Sequence, residues 1–114
     1  MRSNPQALSA YRFMWLLVMF DLPVGTRSDR RAATKFRQSL LDRGYEMSQY
    51  SIYMRFCAGK EQADKRTREI GKLAPPNGKV HVLAVTDRQF ERMAVFRAKH
   101  RGKGRSAPNQ LELF

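Results

Sequence analysis

The chain has 114 residues, enough for one domain with a modest core. Its 22 Lys and Arg against 10 Asp and Glu leave a formal charge of +12, which points to a polyanion, nucleic acid first, although ribosomal proteins and membrane-surface binders share the signature. The single cysteine, Cys57, excludes an internal disulfide, and no HExxH, GxSxG, P-loop or Cys/His cluster is present to suggest zinc, serine-hydrolase or nucleotide chemistry.

Met1 to Arg12 reads as a polar lead-in. Phe13 to Asp21 (FMWLLVMFD) is an unbroken run of eight apolar residues ending in one carboxylate. It is too short for a bilayer, which takes ~20 residues, and has the length of a strand. A strand wetted on one side alternates apolar and polar residues. This one does not, so both its faces are expected to be buried. Arg2 and Arg12 before the run imitate a signal peptide, but no small-residue cleavage site follows it. A cytoplasmic protein with no membrane segment is therefore expected.

Leu22 to Ser28 reads as a loop. Ser28 or Asp29 can cap a helix that runs to about Arg43. Ala33, Phe36, Leu40 and Leu41 lie on one face of it, and Gly44 stops it. Tyr45 to Cys57, rich in Tyr with Ile52 and Phe56, reads as one long strand, turned by Ala58-Gly59. Lys60 to Leu73 is a second helix with a thin apolar face of Ala63, Thr67, Ile70 and Ala74. Ala74 to Gly78 (APPNG) breaks it. Lys79 to Thr86 is a strand, Asp87 to Gln89 a turn, and Phe90 to Phe96 a further strand. Arg97 to Asn109 is a basic tail, and Gln110 to Phe114 (QLELF) alternates again.

These elements predict an α+β protein. Their order falls short of the ferredoxin-like βαββαβ pattern, because a single strand at Tyr45–Cys57 leaves no hairpin between the helices. The reading is a sandwich with helices on one face of the sheet, a ferredoxin-like variant. It divides into a lead-in (1–12), a domain (13–96), and a basic tail with a C-terminal strand (97–114). The helices leave the other face of the apolar first strand uncovered. A second copy packed sheet to sheet would cover it, so a two-fold homodimer is expected.

Asp21 stands where a buried strand meets the surface, as a loop-initiating residue or as a site. Mg²⁺ keeps several waters and accepts one or two carboxylates, and a two-fold dimer can bring two copies of Asp21 together. His81 and His100 read as structural or solvated. The basic residues form three groups. Arg27, Arg30, Arg31, Lys35 and Arg37 follow Asp21 in the chain. Lys60, Lys65, Arg66, Arg68 and Lys72 are interleaved with acids and read as a solvated helix face. Arg97, Lys99, Arg101, Lys103 and Arg105 have period two. In extended chain they fall on one side at ~6.6 Å spacing, a row a polyphosphate can follow. A solubilising tail remains the alternative.

The Asp-ended apolar strand, the Arg-rich helix ending in Gly44 and the Gln49-Tyr50-Ser51-Ile52-Tyr53 segment together resemble the small CRISPR-associated endoribonuclease family, over about Phe13 to Phe96. This is the second of the two CRISPR adaptation proteins, the partner of the CRISPR integrase. The resemblance implies a ferredoxin-like homodimer that bridges integrase subunits and holds the duplex DNA of a new spacer. It also implies, for some members, Mg²⁺-dependent cleavage of RNA or DNA. Carried over, Asp21 is the catalytic and metal-binding residue, and Arg27, Arg30 and Arg31 belong to the charged first helix. The family's C-terminal strand commonly crosses to the partner subunit, and QLELF is a candidate for it. Two features depart from the pattern: the first strand starts late, and Leu22-Pro23 follows Asp21, which restricts the loop around a metal.

Three functions follow as alternatives: a duplex-DNA-binding adaptor of spacer acquisition, a Mg²⁺-dependent endonuclease with a shared Asp21 pair, and an RNA-binding or toxin-type ribonuclease of the same fold unrelated to CRISPR. QLELF also resembles the short peptide by which bacterial proteins dock on the replication sliding clamp, a use incompatible with a buried strand.

Overall fold

The computed structural model describes residues 13–98. In chain order they form β1 (Met14–Asp21), α1 (Arg27–Asp42), β2 (Glu46–Gln49), β3 (Ile52–Cys57), α2 (Lys60–Leu73), β4 (Lys79–Thr86) and α3 (Asp87–Glu91). The strands make one antiparallel sheet in the order β2-β3-β1-β4. β3 lies between β1 and β2 and runs against both, while β4 takes the other edge of β1. This is the ferredoxin-like βαββαβ arrangement.

Local chemistry sets the limits of α1. Its cap is Thr26, not Ser28 or Asp29: the Thr26 hydroxyl accepts from the Asp29 N–H at 3.0 Å. Asp29 then sits in the first turn, where a carboxylate suits the helix dipole. At the other end Gly44 takes φ +88°, its N–H donates to the Leu41 carbonyl, and the Tyr45 N–H donates to the Leu40 carbonyl. This pair of hydrogen bonds closes a helix and needs a residue free to go left-handed. The Arg55 guanidinium packs on Gly44 and donates to the Arg43 carbonyl at 2.8 Å.

The expected single strand at Tyr45–Cys57 is corrected to a hairpin of β2 and β3. The chain reverses at Tyr50-Ser51, with Ser51 at φ +67° and a register shift between Met47 and Gln49. This hairpin supplies the element that a single strand would have left out. Turns usually announce themselves by Gly, Pro, Asn, Asp or Ser, and this one carries only serine, the weakest of these signals.

The core lies between the sheet and the two long helices. Met14, Leu16, Val18 and Phe20 of β1 are buried against Phe36 and Leu40 of α1, Ala63 and Ile70 of α2, and Tyr53 and Cys57 of β3. The Phe20 ring meets Phe36 edge-on at 5.1 Å and stacks on Tyr53 at 5.6 Å. Burying such side chains stabilises by about 1.5–3 kcal/mol each. On the opposite face Trp15, Leu17 and Met19 are only half-buried. The expectation that both faces of β1 are buried therefore holds for one face of the single chain and not for the other.

The strand expected at Phe90–Phe96 is not formed. Phe90 lies in α3, and residues 93–98 form no regular element. Thr86 and Gln89 make a reciprocal cap, with the Gln89 N–H on the Thr86 hydroxyl at 3.1 Å and the Thr86 N–H on the Gln89 side chain at 2.9 Å. The Asp87 N–H donates to the Phe13 carbonyl at 3.0 Å. Phe90 then stacks on Trp15 at 4.3 Å, nearly parallel. These interactions outweigh the strand preference of the segment. The lead-in before Phe13, the basic row beyond Arg97 and QLELF lie outside the described residues. No helix among the described residues is long and apolar enough to cross a membrane.

Candidate nucleic-acid interface and acidic strand end

β1 delivers Asp21 to one end of the sheet, with its side chain exposed on the face away from the helices. The preceding residue is held in place: the Phe20 N–H donates to the Ser51 carbonyl at 3.0 Å. Asp21 faces Lys79 across the β1–β4 ladder, and Met19 faces His81. Residues directly opposite in such a ladder share a face, so Asp21, Lys79 and His81 all point to the open side. Lys79 and His81 are exposed. Gly78, just before β4, has φ +95° and packs on the Asp21 and Leu22 backbone.

Five residues separate Asp21 from α1, and the Arg30 guanidinium donates to the Val24 carbonyl within that loop at 3.1 Å. Arg27, Arg30, Arg31 and Lys35 recur at helical spacing and, with Thr34, line one open concavity of about 510 Å³ on α1. The sequence-predicted basic group is thus gathered on one face, apart from Arg37, which is half-buried near Tyr53. None of the four is ion-paired to a carboxylate among the described residues. On α2, by contrast, Lys60 pairs with Asp64 at 3.1 Å on the solvated side, whereas Arg66, paired with Glu69 at 3.8 Å, is half-buried with its Nε enclosed, so the reading of a solvated face does not extend to Arg66. Arg97 is exposed near the end of the described chain; Lys99, Arg101, Lys103, Arg105 and His100 lie beyond it.

No group of three or more His, Cys, Asp or Glu able to hold a metal occurs among the described residues. Asp21 fits a Mg²⁺ ion only as one ligand among waters, substrate oxygens and a carboxylate from elsewhere. Cys57 is fully buried, and burial raises its thiol pKa, so it behaves as a small core hydrophobe.

Sequence reasoning missed the companions of Asp21. Gly78 and Lys79 come from a segment 57 residues away, and only the Pro-Pro-Asn-Gly punctuation before β4 marked it. The cluster of Trp15, Phe56 and Phe90 on the open face was missed as well.

Residues 14–93 match the family model of the CRISPR associated protein Cas2. Among its relatives, the CRISPR-associated endoribonuclease Cas2 of Paracidovorax avenae is 48% identical over 107 residues, covering 94% of this chain and 99% of the relative. The protein of the same name from Flavobacterium psychrophilum is 46% identical over 107 residues, covering 94% of this chain and 93% of the relative. That from Parvibaculum lavamentivorans is 43% identical over 101 residues, covering 89% and 100%. With its fold and these matches together, the chain belongs to the Cas2 family of CRISPR-associated proteins.

Proposed function

We propose that this protein serves CRISPR adaptation in the cytoplasm: a two-fold homodimer that grips duplex DNA by its phosphates and joins CRISPR integrase subunits. The observation that carries the reading is the basic face of α1, where Arg27, Arg30, Arg31 and Lys35 stand together without acidic partners among the described residues. Such a face binds phosphate independently of base sequence. The open sheet face supports the dimer. It presents Trp15, Leu17, Met19, Ile52, Met54 and Leu83 in register across three strands, an apolar surface that a second copy would cover. The family assignment supports the CRISPR setting over an unrelated toxin-type ribonuclease.

A second reading is cleavage of nucleic acid: the relatives' name, endoribonuclease, favours RNA, and the exposed Asp21 would serve cleavage of RNA or DNA alike. Mg²⁺ bound there would polarise the phosphate and activate water. Asp21 would hold the ion together with the second copy's carboxylate, and the α1 cations would orient the strand. For Gln110–Phe114 two uses remain, a strand added to the partner subunit or docking on a sliding clamp. Equal clamp recovery by the full chain and by one ending at Asn109 removes the second.

The test is a salt titration of duplex-DNA binding by the protein and by an Arg27→Ala/Arg31→Ala/Lys35→Ala variant, with sedimentation to give the oligomeric state. A steep salt dependence that flattens in the variant upholds the adaptor reading; equal binding by both overturns it. A parallel Mg²⁺ cleavage assay with Asp21→Asn decides the second reading.

A further inference from the structure

We propose that Lys79 is the residue that seats a nucleic-acid phosphate beside Asp21. The proposal deepens the nucleic-acid reading above and rests on it. A carboxylate at a strand end repels a phosphodiester of the same sign, so a backbone that approaches Asp21 needs a positive charge next to it. The α1 cations are carried on another element, beyond the Leu22–Thr26 loop. Lys79 is the cross-strand partner of Asp21 in the β1–β4 ladder. Directly opposite residues in an antiparallel pair place their Cβ atoms about 4.5–5.5 Å apart on one face.

Three further observations favour a ligand over a structural ion pair. Lys79 is exposed and forms no salt bridge with Asp21 or with any other carboxylate among the described residues. Its backbone is tightly placed, because Gly78 is pressed against the Asp21 carbonyl and the Leu22 side chain in a left-handed conformation, behind Pro75-Pro76. Asp21 is the last residue of β1 and Lys79 the first of β4, so the pair stands at the rim of the open face. An ammonium group is a compact point charge that suits a phosphate oxygen without demanding a fixed approach.

The experiment compares the wild type, Lys79→Gln, Lys79→Arg and Asp21→Asn in duplex-DNA and RNA binding over a salt series, and in cleavage with Mg²⁺. Lys79 is exposed, so Lys79→Gln is expected to fold. The expected result is a fall of about 0.9 in the salt slope of Lys79→Gln, because one phosphate is no longer neutralised, with recovery in Lys79→Arg. Where the wild type cuts, Lys79→Gln lowers kcat/KM about tenfold or more, and Asp21→Asn binds without cutting. An unchanged slope and unchanged cleavage in Lys79→Gln overturns the proposal, even if Asp21→Asn has lost cleavage. If the wild type does not cut, cleavage by Asp21 is refuted, and the slope alone decides Lys79. If the wild type binds neither nucleic acid, the nucleic-acid reading and this proposal fall together.

Discussion

Gly78 leaves no room for a side chain beside Asp21: a Cβ on residue 78 would stand 2.6 Å from the Asp21 carbonyl oxygen, and the residue holds φ at +95°. Both the space and the backbone conformation therefore demand glycine. Gly78→Ala is expected to destabilise the fold by about 1–3 kcal/mol, read as a lower denaturant midpoint. In the same variant nucleic-acid binding at the Asp21 end weakens more than the loss of stability explains, because the start of β4 must move.

Trp15 is the single tryptophan of the chain, and it is held by α3. Its indole N–H donates to the Asp87 carboxylate at 3.2 Å, and its ring stacks on Phe90. Phe90→Ala is expected to cost at least about 0.5–1.5 kcal/mol for the ring pair. Asp87→Ala costs about 1.5–3 kcal/mol, since the acceptor is a charged carboxylate. Tryptophan fluorescence and near-ultraviolet circular dichroism check both, since each change alters the surroundings of the one indole.

Tyr45 carries a buried hydroxyl with no hydrogen-bond partner among the described residues, and its side chain is 2% exposed. Burial, followed by the nearby Cys57, pushes its pKa up to about 12. The folded state thus keeps a proton that the unfolded chain releases near pH 10. The stability this gives is complete below pH 10 and is lost as pH rises through about 12, by up to ~2–3 kcal/mol. Tyr53 shifts in the same direction through burial and adds to the slope. Tyr45→Phe is expected to be neutral or stabilising at pH 7, since an orphan polar atom disappears, and to flatten the alkaline limb of a stability-against-pH curve.

For the basic face of α1, Arg27→Ala, Arg31→Ala and Lys35→Ala are each expected to weaken duplex binding to a similar extent across sequences. Each lowers the salt slope by about 0.9. Arg30→Ala does the same and also frees the Leu22–Thr26 loop, because its guanidinium is bonded to the Val24 carbonyl. Fluorescence anisotropy on two unrelated duplexes at several salt concentrations is the check; a sequence-dependent loss would contradict a phosphate-binding face.

Several features are legible from the residues alone. The helical spacing of Ala33, Phe36 and Leu40, the Gly44 stop, the Ala74–Gly78 breaker and the apolar run of β1 all act locally, so the sequence shows them directly. The hairpin at Tyr50-Ser51 is not legible, because its turn carries only serine, the weakest turn signal. Thr86 and Gln89 do carry a capping signal, Thr three residues before Gln, but it is hidden by the β-prone Phe90 and Val95 that follow.

The two long helices, the charge and the carboxylate at the end of β1 were thus readable before any fold was known, since periodicity, composition and chain breakers are properties of neighbours along the chain. Folding in three dimensions added the rest: β3 enters between β1 and β2, Phe90 belongs to a helix on Trp15, and Lys79 faces Asp21. Each of these is a pairing between segments far apart in the chain, chosen by which side chains fit and which backbone groups find partners once the sheet has formed.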